Sequence, residues 1–469
     1  MTAILVGFLA TVIAGLLGLH PPESGSPRPP SGERAQVARV ALAVLTIVVS
    51  FCVQLAVLLH AARMQLPFPA WFASLPLIAI DDRAPLFGHS PAGPAAGICA
   101  IVETIGCAAL YFAARRKGLG RASWILVACA SAVMLAAAIA TPAVTSFDMY
   151  AYVGSAHVSD PYRPPSAAFT GDFALINRIY GTPILPSPYG PVWLALARLA
   201  TAPFGTLAAQ LLALRVTGAL ALVACALALR RLDVRDADIA LVALNPALIG
   251  FFVLDGHNDL AGVALVLWAI ALQPRSNLAA AALAILAGGI KAPFLAIATQ
   301  AFARAATLRT RLIGGVVVAA GGLAISALFG GSAYLSAIRT TSYLYRAEFF
   351  DHTDNALHFA LACGALAAIA LALLARRYWP AAAWSFLASA ASTFGWYTVW
   401  GLPYAALERR WLGVFLVSLP LLSFLLATVY AMTQFGAVMR VVAVVGAPLV
   451  TYAVLRRRHD VATVPASAV

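Results

Sequence analysis

Charge is what this chain lacks most. Only 10% of its residues are Asp, Glu, Lys or Arg, where soluble domains carry about 25%. Lysine is scarcer still, and after Lys117 the only one is Lys291. Alternating apolar and polar runs are missing, which argues against a membrane β-barrel. The six cysteines (Cys52, Cys99, Cys107, Cys129, Cys225 and Cys363) all fall in apolar runs and none shows C-x-x-C spacing. That pattern gives little support to a disulfide framework or a metal site, and small core residues are the simpler reading. No G-x-x-x-x-G-K-[ST] loop is present, so a nucleotide cradle of that type is excluded. No internal repeat is evident, which gives little support to an inverted-repeat transporter. The net charge of +13 is not laid out as a basic stripe with interleaved aromatics, so nucleic acid is not the expected partner.

What the chain does have is oil. Hydrophobic residues make up 62% of it and the mean hydropathy is +0.89. The lipid bilayer is therefore the solvent for most of it, and the expected fold class is an all-α polytopic membrane protein. Apolar runs of roughly 20 residues suffice to cross the hydrocarbon, and such runs predict about 13–15 membrane helices. Basic residues cluster between the runs, at Arg115 to Lys117, Arg230 and Arg231, Arg376 and Arg377, Arg409 and Arg410, and Arg456 to Arg458. If these clusters face the cytoplasm, the first run, 2–19, is a span rather than a cleaved signal, and a Pro-rich cytoplasmic linker follows it. Spans over 39–61 and 95–114 and a further one over 122–145 then bring residues 146–188 to the outer face.

The same parity organises the rest. "YGPVWLALARLATAPFG" is amphipathic and too short to cross, so it predicts a helix lying on the outer interface. A span over 210–229 reaches Arg230 inside. Spans over 238–254 and 258–273 flank "DGHND" at the outer face. A run of about 27 residues with basic residues at both ends carries "GGIKAPF" in its middle. It predicts two short helices folded as a hairpin, with Lys291 at the tip. A span over 312–330 leads to a second polar loop, and "STFGWYTVWGLPY" forms another tip. The expected division is N-terminal membrane helices over 1–121, a membrane core over 122–430 that includes an external loop over 146–209, and a C-terminal helix with a basic tail over 431–469.

On this topology the polar clusters meet on one side: Asp148, Asp160, His257, Asn258, Asp259, Lys291, Arg346, Asp351, Trp396 and Tyr397. Ionisable groups at membrane depth are costly and usually mark function, although loops that merely meet water are polar too. Asp148 at a span end suits a general base that accepts a proton from a hydroxyl; pairing with Arg163 or Arg215 is the structural alternative. Asp160 precedes Pro161 and suits a turn. Lys291 interrupts an apolar run and needs an anion, either a phosphate or Asp255 or Asp259. Arg346, Arg339 and Arg215 are further phosphate candidates. His257 and the carboxylates beside it suit hydrogen bonding to sugar hydroxyls or loop anchoring better than metal ligation. Trp396, Tyr397 and Trp400 suit stacking on a sugar ring, and equally suit an interfacial belt. A transporter of a lipid-linked glycan is the rival class, but its polar residues would line a path across the membrane rather than gather on one face.

Five stretches occur in order: "SFDMYAYVGSAHVSDPY", "SPYGPVW", "NPALIGFFVLDGHND", "GGIKAPF" and "WYTVWGLP". Together, across residues 122–430, they resemble the polyprenyl-phosphate-mannose-dependent α-1,6-mannopyranosyltransferases, which are GT-C-type integral membrane glycosyltransferases. The resemblance implies a GT-C-like bundle and an active site on the extracytoplasmic face of the inner (plasma) membrane. It implies a polyprenyl-phosphate sugar donor, a glycan or lipoglycan acceptor, and no organic cofactor. The catalytic Asp of the first long external loop maps to Asp148. Lys291, Arg346 and Arg215 then become donor-phosphate ligands, and Tyr152, Asp160, Tyr189, His257, Asn258, Asp259, Trp396 and Tyr397 line the sugar and acceptor site. The chain departs from the family pattern where it reads "DMYAY" for "DVYSY" and "LDGHND" for "GGGHND", and the second departure adds Asp255.

Overall fold

The computed structural model describes residues 31–65, 92–115, 118–141, 146–165, 167–182, 184–349 and 395–431. Side chains at 31–32, 60–65, 92–94, 341–349, 410–411 and 425–431 are outside that description. The run 2–19, the residue Asp351 and the proposed C-terminal span therefore lie outside it as well. The described residues are helical and contain no strand, as an all-α polytopic membrane protein requires. Among the described residues five helices are long and apolar enough to cross a membrane: Glu33–Leu59, Ala95–Ala114, Arg121–Ala140, Leu207–Arg231 and Leu308–Thr340.

In chain order the helices are α1 (Ser31–Gln65), α2 (Ala92–Ala114), α3 (Arg121–Ala140), α4 (Asp148–His157), α5 (Ala174–Tyr180), α6 (Pro191–Thr201), α7 (Leu207–Arg231) and α8 (Asp236–Leu244). They continue as α9 (Pro246–Ile249), α10 (Asp259–Leu272), α11 (Asn277–Gly288), α12 (Phe294–Ile297), α13 (Leu308–Phe349), α14 (Leu402–Leu407) and α15 (Arg409–Ala431). Local chemistry sets many of the boundaries. Thr206 caps α7 by accepting from the Ala209 N–H, and Ser276 caps α11 by accepting from Ala279. Such side chains take up donors that the first helical turn leaves without partners. α3 stops just before the sequence Thr141-Pro142, as the restriction on a residue preceding proline demands.

Several expected spans take a different shape. The run 238–254 is not one straight helix, because α8 and the segment Pro246–Leu254 meet at a bend of 44°. Asn245 makes the break: its side chain accepts from the Ala247 and Leu248 N–H groups, and its amide donates to the Leu416 carbonyl of α15. Residues 258–273 form α10, which at 14 residues is about 21 Å long and falls short of the hydrocarbon thickness of ~30 Å. Around "GGIKAPF" the first arm is α11, but the second is only α12 followed by a 3₁₀ turn over Ala298–Phe302. The expected loop after residue 330 is helical: α13 runs on to Phe349 across a kink at Gly331, whose φ is +56°. With no proline to interrupt it, the helix continues through that polar stretch.

Two buried clusters organise the packing. The larger joins α1, α2, α3, α7, α8 and α10 to α14 and α15. The smaller is rich in aromatics and sits where α4 and α6 meet, with Tyr150, Tyr152, Tyr162, Tyr189, Trp193 and Tyr334 in it. α6 buries Trp193, Leu194 and Ala197 and leaves Leu199 74% exposed. Arg198 on the same helix is exposed, and its guanidinium folds back to donate to the Val158 carbonyl. An 11-residue helix with one apolar face open fits the interfacial position expected of it.

Candidate active site

Asp148 opens α4 and its backbone N–H donates to Ser146 Oγ at 3.2 Å. Its carboxylate Oδ2 lies 3.1 Å from His257 Nδ1, and the Tyr152 hydroxyl donates to the same oxygen at 3.4 Å. Asp148 therefore meets neither of the arginines considered from sequence, and an imidazole stands in their place. Burial alone would raise this carboxyl, but His257 and the Lys291 ammonium outweigh it and hold Asp148 below the usual carboxylate value. The Asp148 side chain remains one-fifth exposed while that of His257 is fully covered.

The turn that presents His257 is unusual. Residues Gly250–Leu254 form a π-helical turn, a feature frequent at functional sites. The Asp255 N–H returns to the Gly250 carbonyl and the His257 N–H to that of Phe251. Gly256 then adopts a φ of +66°, and a Cβ there would stand 2.4 Å from Met149, the neighbour of Asp148. Only glycine supports that backbone at that distance. The turn thus brings "DGHND" directly onto "FDMY".

Lys291 has its anion within the fold. Its Nζ lies 3.1 and 3.3 Å from the two oxygens of Asp259, which is itself fully buried. The Trp400 indole N–H donates to Asp259 Oδ1 at 2.8 Å. The ammonium also stands 4.3 Å from the Tyr397 ring centroid, with the rings of Tyr189 and Trp400 at 5.8 and 5.9 Å. Aromatic faces at such distances attract a cation. Backbone pairing locks the two motifs at this place: Gly190 N–H donates to the Ile290 carbonyl and Val192 N–H to that of Gly289. A Cβ on Gly190 would come within 2.2 Å of the Gly289 oxygen, so "YGP" cannot take another residue there without parting the strands of chain.

The remaining candidates are placed as follows. Tyr152 packs edge-on against Tyr189 and Trp193, at 4.7 and 5.0 Å between ring centroids. Its hydroxyl oxygen accepts from the Asn258 backbone N–H at 3.4 Å. The Asn258 side chain is buried and its amide atoms have no hydrogen-bond partner among the described residues. Trp396 stacks on His257 at 3.9 Å and 18°, and Tyr397 stacks on Trp400 at 4.4 Å and 28°. Asp160 is occupied locally, accepting from the Tyr162 and Arg163 N–H groups in a turn. Arg215 is fully buried behind the cluster, where its Nη1 donates to the Ile139 and Thr141 carbonyls that α3 leaves open. Arg346 falls in α13 beyond the described side chains, and Arg339 on the same helix is exposed. Asp255 is buried and lines a separate cavity of about 60 Å³ together with Glu103 and Gln54. No group of three or more His, Cys, Asp or Glu side chains is arranged to hold a metal among the described residues.

Sequence reasoning passed over three of these roles. Trp400 was a stacking candidate, yet it is the hydrogen-bond donor that fixes Asp259. Met149 and Trp193 complete the walls on which Gly256 and Tyr152 rest. The only signal available was their place inside or beside the five recurring stretches.

Fold and site together define a class: a polytopic helical membrane protein that gathers a carboxylate, an imidazole, an ion pair and a ring of aromatics in one cluster. Residues 83–307 match the family described as alpha-(1->6)-mannopyranosyltransferase, N-terminal domain. The family is one of glycosyltransferases, so a sugar donor and a glycan acceptor are implied. No curated protein and no solved structure matches the chain.

Proposed function

We propose that this protein transfers a hexose, mannose, from a polyprenyl-phosphate donor to a glycan or lipoglycan acceptor, with Asp148 as the general base. The observation that carries the reading is convergence. Asp148, His257, Asp259, Lys291, Trp396 and Tyr397 come from four stretches far apart in sequence and meet in one cluster beside the interfacial helix α6. The donor's isoprenoid tail stays in lipid while its phosphosugar enters among the aromatics. The acceptor hydroxyl attacks the anomeric carbon and gives its proton to Asp148. The bond from that carbon to the phosphate oxygen breaks, and a β-linked donor yields an α-linked product by inversion. The leaving phosphate carries negative charge that Lys291 and Arg346 offset. Lys291 does so while tethered to Asp259, which aims it and moderates its charge. The basic clusters between the apolar runs support a site on the extracytoplasmic side of the plasma membrane.

The test is to incubate purified protein with a panel of polyprenyl-phosphate sugars and a short mannoside acceptor. Transfer from the mannose donor alone, with an α-linked product, is the expected outcome. Transfer only from an arabinose or glucose donor would reassign the sugar, and transfer from none would remove the lipid-phosphate donor.

A further inference from the structure

We propose that His257 is a positioning residue rather than a sugar ligand: its Nδ1 pins Asp148 Oδ2 and so fixes the orientation of the carboxylate that takes the acceptor's proton. This inference rests on the reading of Asp148 as the base and adds to it what holds the carboxylate in place.

Four observations carry it. His257 Nδ1 is 3.1 Å from Asp148 Oδ2, and the Tyr152 hydroxyl adds a second donor to that same oxygen. Oδ2 is thus committed twice. The His257 ring is also locked in place, stacked on Trp396 at 3.9 Å, with Phe251 at 6.4 Å between ring centroids on a further side. Its side chain has no exposed surface, which leaves no room for a sugar hydroxyl to approach. Finally, Nε2 is buried and has no hydrogen-bond partner among the described residues.

The last point bears on the ring's role. Nδ1 faces the carboxylate, and Nε2 has no group among the described residues to which a proton could be passed. The charged and titratable groups that face this pair are Asp148 itself, Lys291, Asp259, Tyr152, Tyr189 and Tyr397. His257 therefore does not relay the proton onward. The acceptor O–H bond breaks, its electron pair forms the new bond to the anomeric carbon, and the proton rests on the Asp148 carboxylate.

The experiment compares His257→Phe, His257→Gln and Asp148→Asn as purified full-length proteins. Donor KM, kcat and the pH profile of kcat/KM are recorded for each, with thermal stability. Phe keeps a flat ring against Trp396 but removes the donor. It should lower kcat roughly tenfold to a hundredfold, a fraction of the general-base factor, with donor KM unchanged. It should also move the acid limb to higher pH, because the carboxylate has lost a hydrogen bond that favoured its charged form. Gln restores an N–H donor and should recover part of both effects. A His257→Phe protein with an unmoved acid limb and a raised KM would make His257 a substrate ligand and overturn the inference. Equal kcat losses in Phe and Gln, with equally lowered thermal stability, would reduce it to a structural residue. Asp148→Asn separates this from the underlying reading: near-normal turnover there removes the base assignment itself, whatever His257 does.

Discussion

Lys291 and Asp259 show how a buried charge is kept at this site. Asp259 has no exposed surface and takes hydrogen bonds from both Lys291 and Trp400. Replacing Lys291 with Met leaves that carboxylate buried with one donor. Breaking a buried pair in this way costs about 3–5 kcal/mol, so Lys291→Met should lower thermal stability clearly. Lys291→Met with Asp259→Asn removes both charges and should recover most of the loss, because an amide can still accept from Trp400. A stable Lys291→Met protein would show that the pair contributes little and that the ammonium is held mainly for the donor. Asp148 gives a prediction in pH. The base must be unprotonated to act, so activity is lost as pH falls through its folded-state value. That value lies below the ordinary carboxylate range, so the acid limb of kcat/KM should sit at lower pH than an unperturbed Asp would give. A limb at or above the ordinary range would contradict the contacts seen with His257 and Lys291.

Among elements, the crossing of "SPYGPVW" and "GGIKAPF" holds the site in register. Two backbone hydrogen bonds join Gly190 and Val192 to Ile290 and Gly289. Gly190→Val forces its side chain into the Gly289 carbonyl and should abolish transfer while leaving the apolar spans folded, which circular dichroism and activity together will report. Full activity would mean that this crossing does not position Lys291. Much of this element layer was legible in sequence. The long apolar runs, the amphipathic stretch that becomes α6, and the break around Lys291 all follow from hydropathy and from proline and glycine. The bend at Asn245 and the π-turn at Gly250–Leu254 did not, because hydropathy is blind to how a continuous apolar run is hydrogen-bonded internally. The helical course of α13 past residue 330 was missed for the opposite reason: polar side chains signal water, and water does not preclude helix.

For the whole molecule, the residues that meet around Asp148 and Lys291 could be named from the sequence, but their pairings could not. Asp148 and His257 are 109 positions apart, and Asp259 and Trp400 are 141 apart. No periodicity connects such pairs, so only the fold reveals that the imidazole belongs to the carboxylate and the indole to Asp259. Arg215 and Asp160 drew attention by charge alone, and the fold gives them helix-end and turn carbonyl or N–H partners. The sidedness of the molecule rests on the basic clusters. Cysteines introduced at Ser159 and Arg163, exposed in the loop after α4, should react with an impermeant thiol reagent in intact cells, and those beside Arg231 and Arg457 should not. Protection at Ser159 and Arg163 with labelling beside Arg231 would put the site on the cytoplasmic side.

The most direct test of the central claim is the transfer of labelled mannose from polyprenyl-phosphate mannose to a mannoside acceptor by the purified protein and its Asp148→Asn variant, with donor binding measured on both. The account predicts an α-linked product, a loss of turnover of about 10²–10⁴-fold in the variant, and donor affinity little changed. Near-normal turnover by a folded, donor-binding Asp148→Asn protein would contradict it.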